Sequence, residues 1–344
     1  MIVRATARFV LTFLIAIAGG LAFMALGLPV AFLSGAAIAT GGAAIAGLNV
    51  ALPAWLRQLA LIFLGVTMGS AIRPETFSLM ARWPLSLAVL MVCVVGVMAG
   101  IAAYLVRVHR FDVASARLSA IPGALPYVLA LAEESRGDPR RVTILQLARL
   151  LMLVVFMPSL ITAMGGAAPA LPEASAPARW LELALVFAAG FAGSLAFQAL
   201  RVPAGAMFGA MAAGAIAFGS GAITSGIPPW LLVVGYLVMG TVLGANFAGT
   251  NAKLLLQTAV ASVGSVALAA MIALAFAAPT AWAMGLPVAQ LWLAFAPGGV
   301  ETMAILALAL GLDPAFVGAH HAVRFVALGV IAPLWMRGHL RASR

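Results

Sequence analysis

Charge is what this sequence has least of. Asp, Glu, Lys and Arg make up 8% of its 344 residues, where a soluble domain carries about 25%; a water-exposed globular surface is excluded. A single cysteine, Cys93, stands inside an apolar run. Disulfide frameworks and cysteine zinc sites are excluded with it, and the thiol reads as a small buried hydrophobe. Histidine is nearly as scarce. His109 and His339 fall in loops, while His320 and His321 are adjacent. Neighbours on a helix point about 100° apart, no two histidines are four apart, and no His-Glu-x-x-His run exists, so these residues assemble no zinc or iron centre. No metal or other cofactor is expected.

Apolar residues are what the chain has in plenty, at 65%. Stretches near 9–26, 31–48, 58–72, 83–106, 142–163, 180–200, 204–218, 230–245, 256–278 and 316–335 mostly reach the roughly 17–25 residues of a membrane span, and no cleavable signal pattern precedes them. The fold class expected is an all-α polytopic membrane protein of about ten transmembrane helices. Two pieces, around 118–135 and 289–312, are ambiguous because Pro-Gly interrupts each. The net charge of +10 is dispersed between spans, which fits arginine-rich cytoplasmic loops and excludes a nucleic-acid-binding module.

The chain is also similar to itself. At an offset of 175 residues, Pro122 meets Pro297, Gly123 meets Gly298, Asp138-Pro139 meets Asp313-Pro314, Arg149 meets Arg324 and Pro158 meets Pro333. The same offset pairs Trp55 with Trp230, Gly65 with Gly240 and Gly69 with Gly244. Alanine and leucine would coincide by chance here; tryptophan, arginine and aspartate at one offset would not. A tandem repeat is expected, with copies 1–170 and 171–344. If the two interrupted pieces are re-entrant hairpins, each copy has five spans and the copies are inverted; if they cross, each has six and the copies are parallel. Loop charge favours inversion with both termini cytoplasmic: the parallel arrangement moves Arg136, Arg140, Arg141, Arg201 and Lys253 outside in exchange for Arg179 alone.

Inverted halves with interrupted helices are the architecture of secondary transporters. Pro122-Gly123 and Pro297-Gly298-Gly299 are candidate breaks, since proline removes a donor and glycine permits the turn. The half-helix after each would aim free N–H groups at an anion. Arg149 and Arg324 lie about ten residues after their Asp-Pro starts, roughly 15 Å into a helix. An arginine so deep needs a partner or water. Its fork either holds a carboxylate, sulfonate or phosphate of a substrate, or staples the helix to Asp138, Asp313 or hairpin carbonyls. Asp-Pro itself reads as an N-cap with proline at the first helical position. Glu301, opposite Pro126 of the first copy, can carry a coupling proton or help bind Na⁺, with Thr302 beside it. His320 and His321 replace Leu145 and Gln146; at most one faces the hairpin, where it either relays protons or bonds a carbonyl. Asn246 and Asn251 follow "GTVLGAN", whose glycines favour close helix packing.

The second-copy run of Pro-Gly-Gly with a following acid, then "GLDPAFVGAHH" and an arginine three residues on, resembles the AbrB family of bacterial membrane proteins. The first-copy "PGALPYVLALAEESRGDPRRV" is similar to that family's first repeat, except that Ala124 stands for the usual second glycine and Leu125-Pro126 replace polar residues. The resemblance covers roughly residues 20–335 and implies a bacterial inner-membrane location. Family members are often labelled ammonia monooxygenase or regulator. Monooxygenase chemistry would need metal ligands that the histidines do not provide, so no enzyme is expected. Direct transcriptional regulation would need a soluble module for which no loop is long enough. The function expected is secondary-active transport of a small, anionic organic solute coupled to H⁺ or Na⁺, with Gly123, Gly298, Gly299, Glu301, Thr302, Arg149, Arg324, His321 and Asn246 as substrate-binding candidates. The alternative is a non-transporting membrane sensor or scaffold acting indirectly on gene expression. The expected partners are the solute, the coupling ion and the lipid bilayer, without nucleic acid; homo-oligomers stay open.

Overall fold

A computed structural model describes residues 2–50, 52–71, 83–123, 125–165, 177 and 179–339. Ala124 and the boundary expected at 170/171 lie outside the described residues.

Fourteen helices and no strand occur among the described residues. Their order is α1 (Ile2–Ala25), α2 (Ala31–Ile45), α3 (Ala54–Ser70), α4 (Trp83–Arg107), α5 (Val113–Ala120), α6 (Leu125–Glu133), α7 (Pro139–Ala163), α8 (Trp180–Ala199), α9 (Gly205–Gly219), α10 (Pro229–Ala245), α11 (Ala252–Met284), α12 (Val288–Phe295), α13 (Val300–Ala309) and α14 (Pro314–Trp335). Each of the ten apolar stretches is a helix. Six of them, α1, α4, α7, α8, α11 and α14, are long and apolar enough to cross a membrane. The other four have 15 to 17 residues, roughly 22–26 Å. Large apolar side chains such as Leu181, Leu256 and Trp282 project outward from the long helices, as lipid contact requires.

Local signals explain several helix starts. Asp138 accepts from Arg140 N at 2.9 Å and Asp313 from Ala315 N at 2.9 Å, each just before the proline that opens α7 or α14. Asn251 caps α11 by accepting from Leu254 N at 3.1 Å. Before α2, Gly27 and Val30 take left-handed φ values of 66° and 52°; before α9, Arg201 and Ala204 do the same at 56° and 53°. Only the glycine adopts that conformation without cost.

The ambiguous pieces are helical pairs, α5–α6 and α12–α13. Their members have 8, 9, 8 and 10 residues, too short to cross about 30 Å of hydrocarbon. Gln146 of α7 reaches the carbonyl of Leu118, and Arg149 that of Ile121; ascending in step, α5 and α7 run parallel. Asp138 N also donates to Ser115 Oγ at 2.7 Å, so the chain entering α7 has returned to the start of α5. Between them α6 leads back, and the piece is a hairpin. His321 on Leu293 and Arg324 on Ala296 give α12 and α14 the same parallel register.

The helices divide into two compact units. One comprises Met1–Ala81, Val154–Gly249 and Ala304–Ala315, the other Arg82–Leu153, Thr250–Met303 and Phe316–Arg344. Both draw on the two expected copies, so compact units do not coincide with the sequence halves. Glycine faces explain the interleaving of the first. A Cβ on Gly65 or Gly69 of α3 would overlap the Met207 or Met211 carbonyl of α9, and one on Gly240 of α10 would overlap the Leu33 carbonyl of α2. Gly244 lies similarly tight on Ala37 and Thr40. The ascending numbers make both contacts parallel, and glycine permits the close backbone approach expected from its spacing. In this unit Pro158 deprives Val154 of its helical donor, and Ser34 Oγ supplies one at 2.9 Å. In the other unit α4 and α11 pack antiparallel, with Tyr104 against Gly264, Gly100 against Ile272 and Gly96 against Phe276.

Candidate functional site

The second unit holds both Pro-Gly breaks and both deep arginines. Each break ends a short helix, α5 at Ala120 and α12 at Phe295, and its last carbonyls lose the donors of a continuing helical turn, although Leu118 O still accepts from Ile121 N at 3.3 Å and Ala296 O from Gly298 N at 2.8 Å. Burial would make such carbonyls costly. Arginines fill that need. Arg149 donates from Nη1 and Nη2 to Ile121 O at 3.2 Å each, and from Nη1 to Ser119 O at 3.4 Å. Arg324 donates to Ala296 O at 2.6 Å and to the Gly298 carbonyl. Both are buried, 3% and 2% exposed. Of the two roles expected for them, the bonds observed are those of the staple, and its acceptors are hairpin carbonyls; Asp138 instead pairs at the surface with Arg141.

A second layer orients each guanidinium. Gln146 accepts from Arg149 through its side-chain oxygen and donates from Nε2 to Leu118 O at 3.2 Å and Ile121 O at 2.9 Å. His321 does the same work at the second break. Arg324 Nη2 lies 2.6 Å from its Nδ1, and Nε2 lies 3.0 Å from Leu293 O. Guanidinium only donates and a carbonyl only accepts, so Nδ1 carries the lone pair and Nε2 the proton. His321 is therefore a neutral counterpart of Gln146. His320 faces elsewhere, with Nδ1 2.8 Å from Phe316 O and Nε2 2.8 Å from Ser86 Oγ.

The two breaks meet. Gly123 has φ 79°, and a Cβ there would lie 3.3 Å from Gly298 O and 3.7 Å from Arg324 Nη2, so the first turn is seated on the second clamp. A side chain on Gly299 would touch Thr302 Oγ1 and Leu150 at 3.6 and 3.8 Å. Glu301 and Thr302 occupy the first turn of α13 and are half-buried, where the helix dipole favours a carboxylate. Asn246 belongs to the first unit, where it is exposed at the C-cap of α10. An apolar groove between α4 and α11, lined by Val89, Val92, Phe276 and Thr280, contains none of the candidates. Sequence reasoning missed Ser119 and the orienting role of Gln146. The second had a signal, since the sequence offset of 175 pairs Gln146 with His321.

These features define a class, an all-helical, multi-pass membrane protein whose polar centre is built at two helix breaks. The chain belongs to the AbrB family: the family model described as "Transition state regulatory protein AbrB" matches residues 32–339. It is 29% identical over 325 residues to "Putative regulator AbrB" of Escherichia coli (strain K12), covering 90% of each chain. It is 25% identical over 323 residues to "Uncharacterized protein YhjN" of Bacillus subtilis (strain 168), covering 83% of this chain and 82% of that one.

Proposed function

We propose that the chain is a secondary-active transporter for a small, anionic organic solute, working in a bacterial inner membrane with both termini cytoplasmic. The observation that carries the reading is the meeting of the two Pro-Gly turns at Gly123 and Gly298, with a buried arginine at each break. Backbone is interrupted inside a bilayer only where protein or a polar cavity takes up its free groups. Here arginines take the carbonyl ends, which leaves the N-terminal ends of α6 and α13 to favour negative charge.

Inverted copies support the same reading. By the offset of 175, α4 corresponds to α11, and the antiparallel packing of these two favours inversion over parallel copies. With α5–α6 and α12–α13 as re-entrant hairpins, five spans remain per copy, the count that inversion requires. For coupling, the geometry favours H⁺ over Na⁺. Unwound carbonyls are the oxygens a sodium ion would use in such folds, and those at Ile121, Ala296 and Gly298 are already held by guanidinium. Glu301 is the proton carrier in this reading.

The test is uptake into energised vesicles, of both orientations, of labelled small carboxylates, sulfonates and phosphates. Accumulation that a protonophore abolishes, and that Glu301→Gln uncouples, is the expected result. If no solute moves in either orientation while Arg324→Gln merely lowers stability, the transporter reading is wrong.

A further inference from the structure

Arginine stays charged at any physiological pH, and buried charges are normally paired. Arg324 Nη2 lies 3.7 Å from where a Cβ on Gly123 would stand, two residues along the chain from the Ile121 carbonyl that Arg149 holds at 3.2 Å, so the two guanidiniums are neighbours. Yet their described hydrogen bonds end on neutral acceptors, namely carbonyls, Gln146 and His321. Among the described hydrogen bonds, two neighbouring guanidiniums thus share a positive field in which no carboxylate accepts from them.

The first clamp has donors left over. Among the described residues, Arg149 Nε is buried without a hydrogen-bond partner, and so is Ser119 Oγ. Both residues are 3% exposed, and the Ser119 carbonyl is 3.4 Å from Arg149 Nη1. Nε–H can only donate, and the hydroxyl offers a second donor. Two donors in a positive field select an acceptor-only, negatively charged group. The repeat pairs Ser119 with Ala294, so the second copy lacks this hydroxyl.

We propose that Ser119 and Arg149 form the anion-recognition subsite of the hairpin crossing, taking an oxyanion headgroup of the carboxylate type. The assignment rests on the transporter reading and makes it more specific: the solute's charged end binds the first copy. Arg149 then has two duties, holding the end of α5 through its Nη atoms and the solute through Nε.

The probe is acetate. The purified full-length protein in detergent is titrated separately with sodium acetate and sodium chloride, and thermal unfolding is followed. Acetate is expected to raise the Tm saturably and chloride not to. Ser119→Ala should weaken apparent acetate affinity tenfold or more, the loss of a hydrogen bond to a charged group. Ser119→Thr, which keeps the hydroxyl, should retain it. Alanine at the equivalent Ala294 makes Ser119→Ala a substitution the fold accommodates. Ser262→Ala, removing another buried hydroxyl without a partner, in α11, should leave the response intact. An unchanged acetate response in Ser119→Ala overturns the subsite and leaves the transporter reading standing. A response that chloride reproduces overturns the oxyanion assignment. A parent protein that neither salt, nor any sulfonate or phosphate, stabilises sinks subsite and transporter reading together.

Discussion

Replacing His321 by glutamine should leave the protein nearly as stable as before, whereas replacing it by leucine should not. The ring accepts from Arg324 at 2.6 Å and donates to Leu293 O at 3.0 Å. Glutamine offers the same acceptor and donor, and at the first break Gln146 already fills both roles against Arg149 and Leu118. Leucine fills neither, leaving a buried carbonyl and one guanidinium N–H without partners. Each such group costs about 1–3 kcal/mol, although interhelical hydrogen bonds in membranes average nearer ~0.6 kcal/mol. A loss of about 2–4 kcal/mol is therefore expected for His321→Leu and under about 1 kcal/mol for His321→Gln. Unfolding by SDS in mixed micelles measures both. If His321→Gln is as destabilised as His321→Leu, the histidine does something that Gln146 does not, and the equivalence of the two clamps is refuted.

Other expectations concern the scaffold and the membrane orientation. Gly240→Ala should cost about 1–3 kcal/mol by overpacking, because its Cβ would strike the Leu33 carbonyl, while Gly42→Ala, with nothing within 4 Å, should be neutral or slightly stabilising; the same unfolding assay separates them. Arg201→Gly should stabilise by about 1 kcal/mol, since the exposed arginine sits at φ 56° where only glycine is unstrained. Ser34→Ala should cost about 1 kcal/mol by orphaning the Val154 carbonyl. In a Cys93→Ala background, single cysteines at Arg110, Arg201 and Lys253 should all be labelled by an impermeant maleimide from the cytoplasmic side. Parallel copies would instead expose the latter two outside.

How far the sequence could be read depends on where each signal is written. Helix positions were legible because ten apolar runs have the length of helices, and the breaks because Pro122-Gly123 and Pro297-Gly298 punctuate otherwise helical pieces. The depth of Arg149 and Arg324 was legible too, by counting from the Asp-Pro caps. Their partners were less so. Every residue carries a carbonyl, so nothing in the side chains of Ile121 or Ala296 marks them as the acceptors. His321 looked like proton chemistry because histidine titrates, yet its position opposite Gln146 already hinted at a shared, neutral role. Ser119 had no mark at all among small residues. The glycines of α3 and α10 announced close packing without saying against which helix, and so the interleaved units could not be read from them.

The arginine clamps have a practical consequence for handling the protein. Where a broken helix depends on a diffusible ion, dilution or dialysis removes part of the structure. Here the cation that holds each break is a side chain of the protein itself. The hairpins should keep their shape through purification in sodium-free, solute-free buffer, so the unliganded protein is a suitable starting state for testing whether it carries a solute.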